Sequence, residues 1–193
     1  MNYSKLTLLL VVGLIINSCS ILNQAGEYDR FVNSVFTLKS VKALELGGVG
    51  LSGINDKSSF NAGDIMTLTG RLFSGSMPAK LMAEIEVRNN TDKIAAISGM
   101  EWKLLLKDQI YATGQVDDRV EVKPNSSKTF KLRADVDLLK VLSSESLPQI
   151  IKVVTNINDA RELKKLGVEL RIKPYYKSGA NIKKYPGYIS LKP

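Results

Sequence analysis

Histidine is absent from this 193-residue sequence, and cysteine occurs only once, at Cys19. Without histidine there can be no Ser-His-Asp or Cys-His nucleophile pair, no imidazole acid–base chemistry and no zinc or haem site that uses a histidine ligand. A single cysteine leaves no intramolecular disulfide, CxxC redox motif or cysteine-rich metal motif. The sequence also lacks a GxSxG elbow and a glycine-rich phosphate loop followed by GK[ST]. These absences exclude many enzyme classes and predict a protein that is not an enzyme and has no cofactor or bound metal.

The N-terminal segment predicts a lipoprotein signal peptide. Lys5 precedes an apolar run from Leu6 to Ile16, which is typical of a signal-peptide core and shorter than the roughly 20 apolar residues of a transmembrane helix. The run leads into Ile16-Asn17-Ser18-Cys19, which resembles the lipobox of bacterial lipoproteins. That resemblance implies cleavage between Ser18 and Cys19 and attachment of diacylglycerol to the Cys19 thiol. The alternative interpretation is a free cysteine in an uncleaved anchor helix.

The residues after Cys19 carry the prediction of location. Residues 20–24 contain no acidic side chain, and Ser20 resembles the outer-membrane pattern of lipoproteins rather than the inner-membrane retention pattern. We therefore predict a lipid-anchored protein of the bacterial cell envelope, on the outer membrane and facing the periplasm. The predicted organisation is a signal peptide over residues 1–18, a lipidated tether over 19–32 and a single domain over 33–193.

Most of that domain alternates between apolar and polar residues, the pattern of strands with one buried face. Two stretches have helical spacing instead: residues 61–73, with Asn61 as the N-cap, and residues 145–157, with Pro148 in the first turn. We predict an all-β fold, an antiparallel immunoglobulin- or fibronectin-III-like sandwich of about seven strands with one or two short helices. The predicted strands cover residues 33–46, 81–88, 97–106, 109–122, 129–137, 166–172 and 186–192.

The middle of the chain resembles a known family. Over residues 83–102, an alternating strand ends in an Asn-rich turn. Residues 103–118 follow with a strand, a tight turn and a strand that contains a glycine. Over residues 120–138, a polar turn leads into the next strand. This order is similar to the late embryogenesis abundant type 2 family, also called the water stress and hypersensitive response domain, and within it to lipoproteins of Bacteroides-like bacteria. The resemblance implies an immunoglobulin-like sandwich without catalytic residues. The family usually has Asn-Pro after the first strand, whereas this chain has Asn89-Asn90-Thr91.

Acidic residues gather in two places that could hold a hard cation, because such ions take several oxygen ligands. One group is Asp117, Asp118 and Glu121, and the other is Asp135 and Asp137. Neither has the spacing of a known calcium loop. Since Asp135 and Asp137 share a strand face with basic residues, we interpret them as members of cross-strand charge pairs.

Positive charge is concentrated near the C-terminus. Residues 20–159 contain 17 Lys and Arg against 17 Asp and Glu, whereas residues 160–193 contain nine against two. Within that segment Lys164, Lys165, Lys183 and Lys184 are the candidate contacts to an anionic lipid, an acidic glycan or an envelope protein. Single-stranded nucleic acid is the other ligand class for basic residues interleaved with tyrosine. The predicted envelope location argues against that use, and a solvated hairpin is the plainer interpretation.

The sequence therefore predicts a membrane-attached domain with a non-catalytic binding or scaffolding role, which could include protection under stress. A carbohydrate- or ligand-binding sandwich of an outer-membrane complex is the alternative, although Trp102 lies in an apolar strand and makes a poor sugar platform. A glycosidase would need two carboxyl groups roughly 5–9 Å apart in a cleft. A Ser-Lys dyad is allowed by composition, but turn positions account for the serines that adjoin lysines.

Overall fold

The computed structural model describes residues 23–54, 57–106, 108–142, 146–178 and 181–193. In chain order the elements are α1 (23–32), β1 (Val35–Leu46), β2 (Val49–Gly50), a 3-10 turn (Lys57–Ser59), α2 (Ala62–Phe73), β3 (Pro78–Asn89), β4 (Ala95–Ile97), β5 (Gly99–Leu106), β6 (Gln109–Val116), β7 (Val120–Val122), β8 (Ser126–Asp137), α3 (Leu138–Val141), α4 (Leu147–Asn156), α5 (Ala160–Lys165), β9 (Val168–Ser178), β10 (Asn181–Lys184) and β11 (Ile189–Leu191).

The strands form an antiparallel sandwich, which confirms the predicted fold class. One sheet has the order β2-β1-β3-β8, and the facing sheet has the order β10-β9-β5-β6, with β11 also paired to β9. Strands β4 and β7 form a small third sheet. In the described part of the chain the helices outnumber the one or two predicted, and none of them combines the length and the apolar character that crossing a membrane requires.

Alternation located the long strands because each buries one face against the other sheet. In β3, for example, Ile85 and Val87 are fully buried while the intervening Glu86 is only partly covered. Strands β3 and β8 carry a cross-strand ion pair, in which Lys131 Nζ lies 3.6 Å from Glu84 Oε1. Asp135 stands opposite Lys80 in this ladder, as the predicted charge pairing requires. The same prediction was wrong for Asp137, because its carboxylate accepts from the Met77 and Leu139 N–H groups instead. Strand β8 is the edge of its sheet, with no strand paired along its second side among the described residues.

Trp102 is a core residue, as its place in an apolar strand predicted. The side chain is 6% exposed, and Trp102 pairs across the ladder with Gly114 of β6. A Cβ atom added at Gly114 would overlap the indole ring. The glycine is therefore required because the indole occupies the space where a side chain would stand.

Both predicted helices are present. Helix α2 begins with a reciprocal capping box, in which the Asp64 N–H donates to Asn61 Oδ1 at 2.9 Å and the Asn61 N–H donates to Asp64 Oδ2 at 3.0 Å. Helix α4 has Pro148 in its first turn and buries Ile150, Ile151 and Val154. Helices α1, α3 and α5 were not predicted.

Two turns depend on residues with positive φ, and only the second of them, before β8, was predicted as a turn. Gly47 and Gly48, with φ of 58° and 97°, join β1 to β2 in a two-residue hairpin of the kind that needs positive φ at both positions. Asn125, with φ of 49°, forms the turn between β7 and β8. Asparagine adopts this left-handed conformation more readily than most residues, so the polar turn was readable from the sequence.

Two local predictions differ from the structure. Residues 109–122 were read as one strand, but β6 pairs with β5 whereas β7 leaves that sheet to pair with β4. Residues 23–32 were placed in the tether, yet they form α1, and Phe31 within it is completely buried beside Phe36. The folded part of the chain thus begins before residue 33.

The sandwich has two distinct ends. Helix α1 contacts the end where β1 begins and β3 finishes, which we call the α1 end. Helices α2 to α5 connect strands at the other end, which we call the opposite end. Strand β3 runs between them for 12 residues, or about 37 Å at the usual rise of a strand.

Candidate functional site

The predicted lipidation and cleavage residues, Ser18 and Cys19, lie outside the described residues. The first described element after them is α1, which packs against the domain along its length. Tyr28 donates from its hydroxyl to the Pro174 carbonyl at 3.4 Å, and its ring lies 4.9 Å from the Tyr176 ring. Burial, followed by the nearby Tyr185 and Tyr176, raises the pKa of Tyr28 to about 12.

Polar contacts fix α1 on two further sides. Arg119, which precedes β7, places Nη2 2.7 Å from Glu27 Oε2, and this contact raises the pKa of the guanidinium. Arg30 donates from Nε to the Ile94 carbonyl at 2.7 Å. Because α1 touches both sheets and the loop after β3, it is an integral part of the fold.

The four predicted anion contacts do not form one cluster. Lys164 and Lys165 end α5, immediately before β9 begins at the opposite end. Lys183 and Lys184 lie on β10, which pairs with residues 175–178 of β9 at the α1 end. The seven residue steps of β9 from 168 to 175 separate the two pairs by about 24 Å.

Each pair contains one lysine bound to a carboxylate. Lys165 Nζ lies 2.6 Å from Glu162 Oε1, and Lys184 Nζ lies 2.5 Å from Glu101 Oε1. Lys164 and Lys183 have no carboxylate within 4.0 Å among the residues that the structure describes. The predicted four-lysine contact is therefore corrected to two separate sites, each with one unpaired cation, because strand β9 holds them apart.

The structure brings together a different basic group, on the outer face of the five-stranded sheet. Lys103 of β5 and Lys173 of β9 place their Nζ atoms 4.8 and 5.3 Å from the centre of the Tyr188 ring. Neither ammonium has a carboxylate within 4.0 Å in the described ranges. A tyrosine ring attracts a cation through its negatively charged face, which accounts for the packing but leaves both charges uncompensated.

Neighbouring acidic groups on this face are already engaged. Glu169 accepts from Arg171 Nε at 2.7 Å and from Ser190 Oγ at 2.6 Å, and these contacts lower the pKa of Glu169. Arg171 stands directly opposite Lys103 in the ladder, so two like charges face each other. Because Glu169 balances the charge of Arg171, Lys103 and Lys173 are the uncompensated cations around the Tyr188 ring in the described part of the chain.

The sequence contained a weak signal for this face. Lys103 interrupts an otherwise apolar stretch, and Lys173 follows the predicted strand 166–172 by one residue. Tyr188 is one of the tyrosines interleaved with basic residues in the C-terminal segment, and the sequence alone does not indicate its partner. What the sequence could not supply was the pairing of β11 with β9, which places the three residues together.

Each of the two acidic groups noted in the sequence contains a carboxylate with structural partners. Tyr175 donates to Asp117 Oδ1 at 2.5 Å, which lowers the pKa of that carboxyl group. Asp137 accepts from the Met77 and Leu139 N–H groups at 2.9 and 3.1 Å. Within the described ranges, no three acidic or cysteine side chains are close enough to hold a metal ion together.

Comparison with known proteins finds similar solved structures but no family. No family model and no curated protein matches the sequence, so the resemblance to the late embryogenesis abundant type 2 family stays a prediction. A protein from Archaeoglobus fulgidus of known structure is 20% identical with a TM-score of 0.34, and the match covers 58% of this chain and 82% of that one. A β-glucuronidase from glycoside hydrolase family 2 is 11% identical with a TM-score of 0.28, and the match covers 60% of this chain and 10% of that one.

Proposed function

We propose that this protein is a lipid-anchored component of the bacterial cell envelope whose β-sandwich is a non-catalytic binding or scaffolding domain. The observation that carries the proposal is the lipobox-like sequence Ile16-Asn17-Ser18-Cys19 at the end of an apolar run. Helix α1 is docked over residues 23–32, so acylation at Cys19 would attach the membrane anchor almost directly to the folded domain. Placement on the periplasmic face of the outer membrane belongs to the same proposal, because it depends on the residues that follow Cys19.

Substitution of the cysteine tests the anchor. We expect Cys19→Ala to move the protein from the membrane fraction to the soluble fraction of cells, because the substitution removes the thiol that would carry diacylglycerol. Several acyl chains hold a protein on a membrane far more firmly than one. Lys164→Ala is the matched control and should stay with the membrane. Mass spectrometry of the N-terminal peptide should show diacylglycerol on Cys19. Membrane retention of Cys19→Ala would favour the uncleaved anchor helix instead.

A second candidate function is recognition of an acidic glycan, favoured by the Lys103–Tyr188–Lys173 group. The two ammonium groups can pair with the carboxylate of a uronic acid, and the exposed parts of the tyrosine can contact the sugar ring. Lys103, Lys173 and Tyr188 are all partly exposed, so a ligand can reach them without a change in the fold.

Titration with oligogalacturonate tests this second function. Each exposed ion pair contributes about 0.2–1 kcal/mol, so the double variant K103A/K173A should weaken binding about 2- to 30-fold. The matched control is K152A/K164A, which removes two lysines from the opposite end and leaves this face intact. Equal affinities of the two double variants would contradict binding at the tyrosine, and a neutral oligosaccharide that binds equally well would contradict recognition of charge.

A further inference from the structure

The anchor and the folded domain are separated by very little chain. Four Cα–Cα steps join Cys19 to residue 23, and a fully extended chain spans at most about 14 Å over that number of steps. Residues 24–28 are partly covered by the rest of the domain. Glu27 binds Arg119, and Tyr28 donates to the Pro174 carbonyl. A membrane anchor at Cys19 therefore cannot let the sandwich turn freely.

We propose that the α1 end of the sandwich lies on the bilayer, with the loop of residues 90–94 and the turn of residues 123–126 in contact with anionic headgroups. This inference rests on the proposed lipid anchor and adds the surface that meets the membrane. The occupant follows from the chain length, because the bilayer that holds Cys19 must come within about 14 Å of α1. The opposite end, about 37 Å away along β3, lies beyond that reach.

The two loops form one firm surface. The Asn125 N–H donates to the Thr91 carbonyl at 2.9 Å. The fully buried Asn89 donates from Nδ2 to the Lys93 carbonyl at 2.8 Å and to the Val122 and Lys123 carbonyls at 3.2 Å. Lys93 and Lys123 are thus exposed on loops that share a single buried side chain.

Helix α1 is joined to this surface. Arg30 of α1 binds the carbonyl of Ile94, whose side chain is 37% exposed beside Lys93. Helix α1, which follows the proposed anchor, and the loop of residues 90–94 are therefore held together. An exposed aliphatic side chain next to a lysine suits the boundary between headgroups and acyl chains.

Charge at this end favours an anionic surface. The exposed bases without a carboxylate within 4.0 Å among the described residues are Arg88, Lys93, Lys123, Lys128, Lys177 and Lys183. The exposed acids at the same end are Asp29, Asp92, Asp117 and Asp118. A basic residue near an anionic bilayer contributes about 1 kcal/mol, and the attraction decays over roughly 10 Å. Lys183 is therefore close enough to contribute, whereas Lys164 is not.

Quenching in vesicles tests the orientation. The full-length acylated protein is reconstituted into vesicles of phosphatidylcholine and phosphatidylglycerol that contain a headgroup spin-labelled lipid. Because the Cys19 thiol is acylated, a fluorophore attaches only to a cysteine introduced by Asn90→Cys at the α1 end or by Lys164→Cys at the opposite end. We expect the label at position 90 to be quenched several-fold more than the label at position 164.

Charge reversal then tests the contact itself. In the Asn90→Cys protein, K93E/K123E should lower the quenching toward the value at position 164, whereas K164E/K165E should leave it unchanged. Equal quenching at positions 90 and 164 would overturn the orientation, and unchanged quenching in K93E/K123E would overturn the lysine contact. Both results leave the anchor intact, since a failure of the anchor appears separately as protein without acyl chains that does not sediment with vesicles.

Discussion

Replacing Gly114 tests the packing at the centre of the sandwich. Gly114→Ala adds one methyl group where the Trp102 indole lies, and the indole lines a cavity together with Leu38, Leu81 and Leu132 of the other sheet. Overpacking of a dense core costs about 1–3 kcal/mol. In a domain of this size, that range corresponds to a fall in Tm of about 3–10 °C.

Gly70 provides the matched control. It lies on the exposed side of α2, and a Cβ atom there would meet no atom within 4 Å. Gly70→Ala should therefore increase the free energy of unfolding by about 0.5–1 kcal/mol, because alanine is the better helix former. The same change of side chain thus has opposite signs at the two positions.

The assay is equilibrium unfolding in urea, followed by far-ultraviolet circular dichroism for every variant. Tryptophan fluorescence is a second signal only for variants that keep Trp102, the single tryptophan of the sequence. Gly114→Ala should lower the free energy of unfolding less in the W102F protein than in the unaltered chain, because the smaller phenylalanine ring no longer meets the added methyl group. A Gly114→Ala protein as stable as the unaltered chain, or additive effects in the double variant, would refute the described contact between Trp102 and Gly114.

Two further predictions concern buried polar groups. Asn89→Ala should lower the free energy of unfolding by about 2–3 kcal/mol, because buried carbonyl groups lose their hydrogen-bond donor. At the exposed neighbour, Asn90→Ala should change the free energy of unfolding by at most about 0.5 kcal/mol. Urea unfolding midpoints measure both changes. For Asp137, burial raises the pKa, but hydrogen bonds from Met77, Ser76 and Leu139 outweigh it and lower the pKa overall. The stabilisation it gives is therefore present above the unfolded pKa and lost as the pH falls below about 4. Asp137→Asn should reduce the difference in stability between pH 7 and pH 3, and an unchanged difference would contradict this role.

The long strands and the two capped helices were predictable because their signals are local. Alternation marks the buried face of β3 and β8, and the Asn61 capping box lies within four residues of sequence. Helix α1 was missed for the opposite reason. Its segment looks like a polar tether, and it is held by Tyr28, whose partners Pro174 and Tyr176 lie far along the chain.

Strand β9 shows how an accurate local prediction can still misplace a site. Its alternating part was predicted, but the strand continues through Pro174 to Ser178. The Pro174 carbonyl accepts from the Tyr185 N–H, in the gap between β10 and β11. The nitrogen of Pro174, which carries no hydrogen, faces the same gap, so no ladder hydrogen bond is lost and the proline is tolerated. The full length of β9 separates Lys164 from Lys183, although the two belong to one basic segment of sequence.

The exposed edge of β8 has a consequence for how copies of this protein coexist. Strand β8 is 12 residues long, and an edge strand offers its backbone to any second strand. The proposed lipid anchor would hold copies of the protein on one surface and so raise their local concentration. Lys128, Lys131 and Arg133 project from the exposed part of this strand. Two copies that paired edge to edge would bring these cations together, so the basic side chains on β8 act against aggregation of the folded domains.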